Sequence, residues 1–248
     1  MTSSTDIKTE QIEHEANGVK LNGYITWDAS RAGPRPGVLV VHEWWGQTDY
    51  IRSRARMLAE LGYTGFAVDM YGSGKTAATP DEAGQLMNAI LNNMDEGVAR
   101  FEAARRALGH HASADATRTA AIGYCFGGAV VLEMARRGIG LNGVASFHGA
   151  LATQTKVEPG SIKAKILVLH GDDDVLIPQE QVDAFKTEMQ NAQADMKFIA
   201  YPGALHGFTN PEAAENGKKY GLPLAYNEAV DKQSWNELKK FLSDIFSG

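Results

Sequence analysis

Three residue types that together can cleave an acyl bond follow one another along this chain. Cys125, the only cysteine, sits in Ala121-Ile122-Gly123-Tyr124-Cys125-Phe126-Gly127-Gly128-Ala129. An apolar lead-in, a Gly-x-Cys-x-Gly corner and an Ala/Val/Leu-rich run read as strand, tight turn and helix, the layout that lifts a nucleophile out of a fold. A nucleophile on so sharp a turn leaves no room for a Cβ two positions to either side, hence the glycines. Without that context a lone cysteine is most often a small buried hydrophobe. With it, the chemistry implied is acyl transfer through a covalent intermediate.

An acid and a base follow in order. The apolar run Lys165 to His170 leads into Gly171-Asp172-Asp173-Asp174-Val175-Leu176-Ile177-Pro178. An acidic cluster after a buried strand belongs at the carboxyl edge of a sheet, where α/β active sites lie. Asp174 is the candidate acid, four residues before Pro178; Asp172 and Asp173 also suit turn or capping roles. A second run, Lys197 to Tyr201, leads into Pro202-Gly203-Ala204-Leu205-His206-Gly207-Phe208, which makes His206 the candidate base. Nucleophile, acid, base is the order of the strand–elbow–helix hydrolases. His42, His148 and His170 each end an apolar run, so they either line the same edge or are structural. His110 and His111 read as solvated loop residues. There is no His-Glu-x-x-His and no cysteine pair, so neither a metal nor a cofactor is expected. Gly72-Ser73-Gly74-Lys75-Thr76 resembles the end of a phosphate-binding loop, but the required earlier glycine is Asp69.

The elements that must hold these residues alternate. Strands are expected over Val19–Trp27, Gly37–Val41, Thr64–Val68, Thr119–Ile122, Leu141–Phe147, Lys165–His170 and Lys197–Tyr201. Helices are expected over Asp49–Leu61, Asp81–Leu108 with a break near Asn92 to Asp95, Phe126–Arg137, Gln179–Gln190 and Asn227–Phe246. Alternation of this kind predicts an α/β fold with a mostly parallel central sheet covered by helices on both faces. With 248 residues and no linker or repeat, one domain over 1–248 is expected, with residues 1–15 as a polar amino-terminal extension.

Bulk properties narrow the function classes. A formal net charge of −6 and the lack of a basic stripe argue against nucleic acid as a partner. No apolar run reaches the roughly 18–20 residues of a membrane span, and no secretory h-region precedes residue 15. One cysteine suits a reducing compartment, so a cytoplasmic location is expected, as a monomer or small homo-oligomer.

With Cys125, Asp174 and His206 in place, the chain resembles the dienelactone hydrolase (carboxymethylenebutenolidase) family of α/β-hydrolases. Further matching segments are Val41-His42-Glu43-Trp44-Trp45-Gly46, Asp69-Met70-Tyr71-Gly72, Tyr201-Pro202-Gly203 up to His206-Gly207-Phe208, Tyr226-Asn227 and Trp235. The resemblance implies that Glu43 takes part in activating the thiol. A free thiol is only a few per cent thiolate at neutral pH, with a pKa of about 8.5. It implies that the backbone N–H groups of Trp44 and Phe126 form the oxyanion hole. Two arginines that grip a substrate carboxylate in the family have no counterpart: one stretch reads Gly72-Ser73-Gly74-Lys75, and the other position is Asn210. Lys75 is either a point-charge substitute or a solvated loop lysine. Trp44, Trp45, Tyr71 and Phe126 suggest an apolar or aromatic pocket instead. The expected activity is cofactor-free hydrolysis of a small-molecule lactone or ester by a Cys-Asp-His triad. The alternatives are a broad carboxylesterase or thioesterase with the same residues, and a redox-sensing thiol protein on a hydrolase scaffold.

Overall fold

A computed structural model of the chain describes residues 5–247. The fold is α/β, with an eight-stranded, mostly parallel sheet. The chain forms two compact units, Met1–Ala121 and Ile122–Gly248.

The first unit begins with a hairpin of β1 (Ile7–Ala16) and β2 (Val19–Asp28), paired antiparallel in full register from Ile7 opposite Asp28 to Ala16 opposite Val19. The polar start of the chain is therefore a strand from Ile7 onward, not an extension; residues 1–4 lie outside the described residues. The turn explains it. Asn17 and Gly18 both adopt positive φ, 49° and 79°, as a two-residue hairpin turn requires. Only Ala16 of β1 is buried, so the strand carries almost no hydrophobic pattern.

β2 then pairs antiparallel with β4 (Thr64–Ala67), which pairs parallel with β3 (Arg35–Val41). Val38 to Val41 are wholly buried, which matches their unbroken apolar run. Helix α1 (Asp49–Glu60) turns Ile51, Ala55, Leu58 and Ala59 inward. Helix α2 (Pro80–Leu91) starts on Thr79, whose side chain accepts from the Glu82 amide, with Pro80 in the first turn. Helix α3 (Met94–His110) follows after a break at Asn92 and Asn93.

β5 (Ala114–Tyr124) runs from the first unit into the second and ends at the cysteine. The second unit continues with α4 (Phe126–Arg136), β6 (Gly143–Phe147), β7 (Lys165–Gly171), α5 (Gln179–Asn191), β8 (Met196–Tyr201), α6 (Ala213–Tyr220) and α7 (Glu228–Phe246). β6, β7 and β8 are parallel neighbours. Parallel register puts their carboxyl ends on one side. The residue after each strand then bonds across: Cys125 N–H donates to Phe147 O, His148 N–H to Leu169 O, and Asp172 N–H to Tyr201 O, at 3.0, 2.9 and 3.0 Å. Every loop that carries candidate chemistry in this unit leaves from that edge. Helix α6 was not foreseen, being short and polar with only Ala213 and Gly217 buried.

Candidate active site

Cys125 stands between β5 and α4 with φ 54° and ψ −114°, a backbone conformation that non-glycine residues avoid. The surrounding atoms enforce it. A Cβ on Gly123 would lie 2.0 Å from the carbonyl oxygen and 2.2 Å from the carbonyl carbon of Gly127. A Cβ on Gly128 would lie 2.6 Å from Ser146 Oγ and 2.8 Å from the Gly149 Cα. The corner closes only where those side chains are absent. Cys125 is partly exposed and caps the amino-terminal end of α4, where the helix dipole favours negative charge.

Of the three aspartates after β7, Asp172 and Asp173 are exposed and Asp174 is buried. Asp174 Oδ2 lies 2.8 Å from His206 Nδ1, while its Oδ1 accepts the Leu176 amide at 2.9 Å. Both carboxylate oxygens are thus held, and the ring is aimed from one side. His206 is also hydrogen-bonded to Cys125. Burial alone would push the His206 pKa down. The electrostatic interaction with Cys125, the hydrogen bonds to Asp174 and Cys125, and the Asp174 charge outweigh it and raise the ring well above its ordinary value. The arrangement favours the protonated ring of His206 beside the Cys125 sulfur.

His148, unassigned from the sequence, packs against the same ring. It is wholly buried, and its ring meets that of His206 edge-on at 5.2 Å between centroids. His170 is also buried; burial, its largest influence, lowers its pKa, and its ring lies against Phe198.

The remaining candidates divide. Phe126 is the first residue of α4, in the turn whose amides lack intrahelical acceptors. Asn210 is buried, but its side-chain oxygen accepts the Glu212 amide at 2.9 Å and shapes the entry to α6. In the first unit Glu43 is 6% exposed, so it is not a solvated loop acid. Trp44 and Trp45 are half-buried with ring centroids 5.0 Å apart, and the Tyr71 hydroxyl donates to the Trp44 carbonyl at 2.9 Å. Lys75 is exposed; its backbone carbonyl, not its charge, is what packs against Gly46. His42 is structural: one ring nitrogen meets the Glu43 carbonyl and the other the Met70 amide. His111 is not solvated, since its ring lies 4.6 Å from that of Trp27 and Nδ1 is 2.8 Å from Ser113 Oγ. The loop that resembles a phosphate cradle has its amides occupied: Asp69 accepts from Tyr71, Gly72 and Gly74, and from Asn22. Among the described residues no cluster of His, Cys, Asp or Glu could hold a metal ion, and no helix is long and apolar enough to cross a membrane.

A model of the dienelactone hydrolase family matches residues 21–246. The chain belongs to that family. It is an α/β-hydrolase that acts on ester bonds. Among its relatives, "Protein usf" of Aquifex pyrophilus is 29% identical over 96% of this chain and 99% of that protein. The solved structure of a dienelactone hydrolase-like promiscuous phosphotriesterase from metagenomic libraries is 30% identical, covers 96% of this chain and 98% of its own, and superposes with a TM-score of 0.88. Another, called m3DLH, is 33% identical over 97% of this chain and 99% of its own, with a TM-score of 0.91.

Proposed function

We propose that this dienelactone hydrolase family member cleaves small neutral lactones or esters through a thioester on Cys125. The observation that carries the reading is the double engagement of one ring: His206 meets Asp174 at 2.8 Å through Nδ1 and is hydrogen-bonded to Cys125. The thiolate adds to the substrate carbonyl, and the tetrahedral oxyanion is held by the first-turn amide of α4 on Phe126. As the C–O bond breaks, the imidazolium of His206 gives its proton to the departing alkoxide. Water then loses a proton to His206, adds to the thioester, and releases the acid with the thiolate restored. Asp174 holds the tautomer and offsets the imidazolium charge. By family analogy Glu43 assists thiol activation, and the Trp44 amide completes the oxyanion site. No step calls for a cofactor.

The neutral-substrate preference rests on Asn210 and Lys75. Asn210 stands where family members acting on dienelactone carry one arginine, and Lys75 lies in the stretch where they carry the other; the first is spent on a loop amide and the second is exposed. A broader esterase or thioesterase range remains the alternative, and the phosphotriesterase relative adds phosphotriesters to the substrates to screen.

The test is mass spectrometry of the protein quenched during turnover of a p-nitrophenyl ester. An acyl adduct on Cys125, and its loss with activity in Cys125→Ala, is the expected result. Undiminished turnover by Cys125→Ala would end the covalent reading. A thiol sensor would react with peroxide but show no ester turnover in the wild type.

A further inference from the structure

One buried side chain touches three of the four residues that carry the proposed base. The His148 ring is edge-on to His206 at 5.2 Å and edge-on to Phe208 at 5.1 Å, and its Nε2 lies 2.7 Å from Thr209 Oγ1. His148 is wholly buried and so is Thr209. Its backbone sits at φ 39°, in the left-handed region, directly after β6. The hydrogen bond that the His148 N–H donates to Leu169 O and the close approach of Gly149 to Gly128 hold it there. The same β6 end accepts the Cys125 amide through Phe147 O. His148 therefore joins the strand that fixes the nucleophile to the loop that carries the base.

That link answers a mechanical need. Asp174 holds His206 through Nδ1 and Cys125 engages the same ring, but neither packs against the ring as His148 does. The backbone of the loop is tied elsewhere, through Ala225 N–H to His206 O and Asn227 N–H to Phe208 O. Neither of these contacts sets the plane of the imidazole.

We propose that His148 is a positioning residue for the hydrolysis: it clamps the His206–Thr209 loop and sets the plane of the His206 ring so that its free edge stays on the Cys125 sulfur. The inference rests on the triad reading above. It acts through His206, not on substrate, so its loss lowers the rate of acylation and the stability of the thiolate–imidazolium pair and leaves substrate binding alone.

Three variants separate the contacts. His148→Ala removes ring and hydrogen bond; His148→Phe keeps a ring edge and loses the bond to Thr209; Thr209→Val keeps the His148 ring and loses that bond. Each is assayed for the burst rate and KM with p-nitrophenyl butyrate, for melting temperature, and for thiolate absorbance at 240 nm against pH with Cys125→Ala as blank. The expected loss in His148→Ala is about tenfold to a hundredfold in acylation rate, the scale of a small misplacement of reacting groups. KM should stay within about twofold, since uniform substrate binding is untouched, and the thiolate should appear only at higher pH. His148→Phe and Thr209→Val should fall between wild type and alanine. If the alanine variant does not fold, those two carry the test.

Wild-type acylation and an unchanged thiolate titration in the variants that fold would overturn the proposal. So would a rate loss that tracks melting temperature with the titration unmoved, which would make His148 a packing residue. Turnover by Cys125→Ala would instead sink the triad reading, whatever the His148 variants do; a dead Cys125→Ala beside wild-type His148 variants would sink this inference alone.

Discussion

Gly123→Ala tests the elbow most directly, because its cost can be worked from distances. The added Cβ would lie 2.0 Å from Gly127 O, 2.2 Å from its carbonyl carbon and 2.7 Å from Gly128 N. All three are backbone atoms in the first turn of α4, not the ends of flexible side chains. An ordinary carbon–oxygen contact needs more than an ångström of extra room, so the end of β5 or the start of α4 must move. Overpacking of this kind costs about 1–3 kcal/mol, or about 2–12 °C of melting temperature for a chain of this size. The movement falls on Cys125 itself, so the catalytic loss should exceed the stability loss, by about a hundredfold in acylation rate. Differential scanning fluorimetry and a stopped-flow burst assay read the two effects. Gly84→Ala is the control: Gly84 lies inside α2 with nothing within 4 Å of its Cβ position, so it should gain about 0.5–1 kcal/mol from helix propensity. A Gly123→Ala variant with wild-type melting and burst would refute the claim that this close approach shapes the nucleophile's turn.

Asp174→Asn should lower turnover by up to about 10⁴-fold, the loss seen when a triad acid is neutralised, while Asp172→Asn and Asp173→Asn, both exposed, should change kcat little; comparable losses at all three would assign the acid wrongly. Burial pushes the His42 pKa down to about 4, below the ordinary 6.5. The unfolded chain therefore binds the proton first, so stability is full above about pH 6.5 and is lost as pH falls toward 4, by about 3 kcal/mol in total. Urea midpoints between pH 7 and 4.5 should show that slope, and His42→Asn should remove this part of it; an identical slope in the variant would count against it. A carboxylate-bearing lactone and its methyl ester, assayed side by side, should differ by at least about tenfold in kcat/KM in favour of the ester, since a lost bidentate contact is worth several kcal/mol. Preference for the free acid that weakens with salt and vanishes in Lys75→Met would put Lys75 in the arginines' place.

The candidate nucleophile, acid and base were legible in the sequence because each follows a buried strand, and an unbroken apolar run advertises such a strand whatever surrounds it. Gly123-Tyr124-Cys125-Phe126-Gly127 and the run before His206 carry their geometry locally, in glycine and in strand ends. The signal failed where local pattern was thin. β1 buries only Ala16, so its alternation is nearly silent; Asn17-Gly18, a hairpin turn in two residues, was the sign that could have revealed it. Helix α6 is polar and short for the same reason. Spacing from Pro178 pointed to Asp174, and burial against His206, a property of packing, sets it apart from its two exposed neighbours.

The order along the chain and the residue types are thus a matter of sequence. Which groups meet is not. Asn210 looked like a vacant arginine position, but the turn into α6 uses its side chain. His148 looked like one of three strand-end histidines. Only the parallel register of β6, β7 and β8 sets its ring against the loop of His206, more than fifty residues further on. Local sequence records what a residue can do through its own backbone and near neighbours; contacts between distant segments depend on how the strands align, and no single segment encodes that alignment.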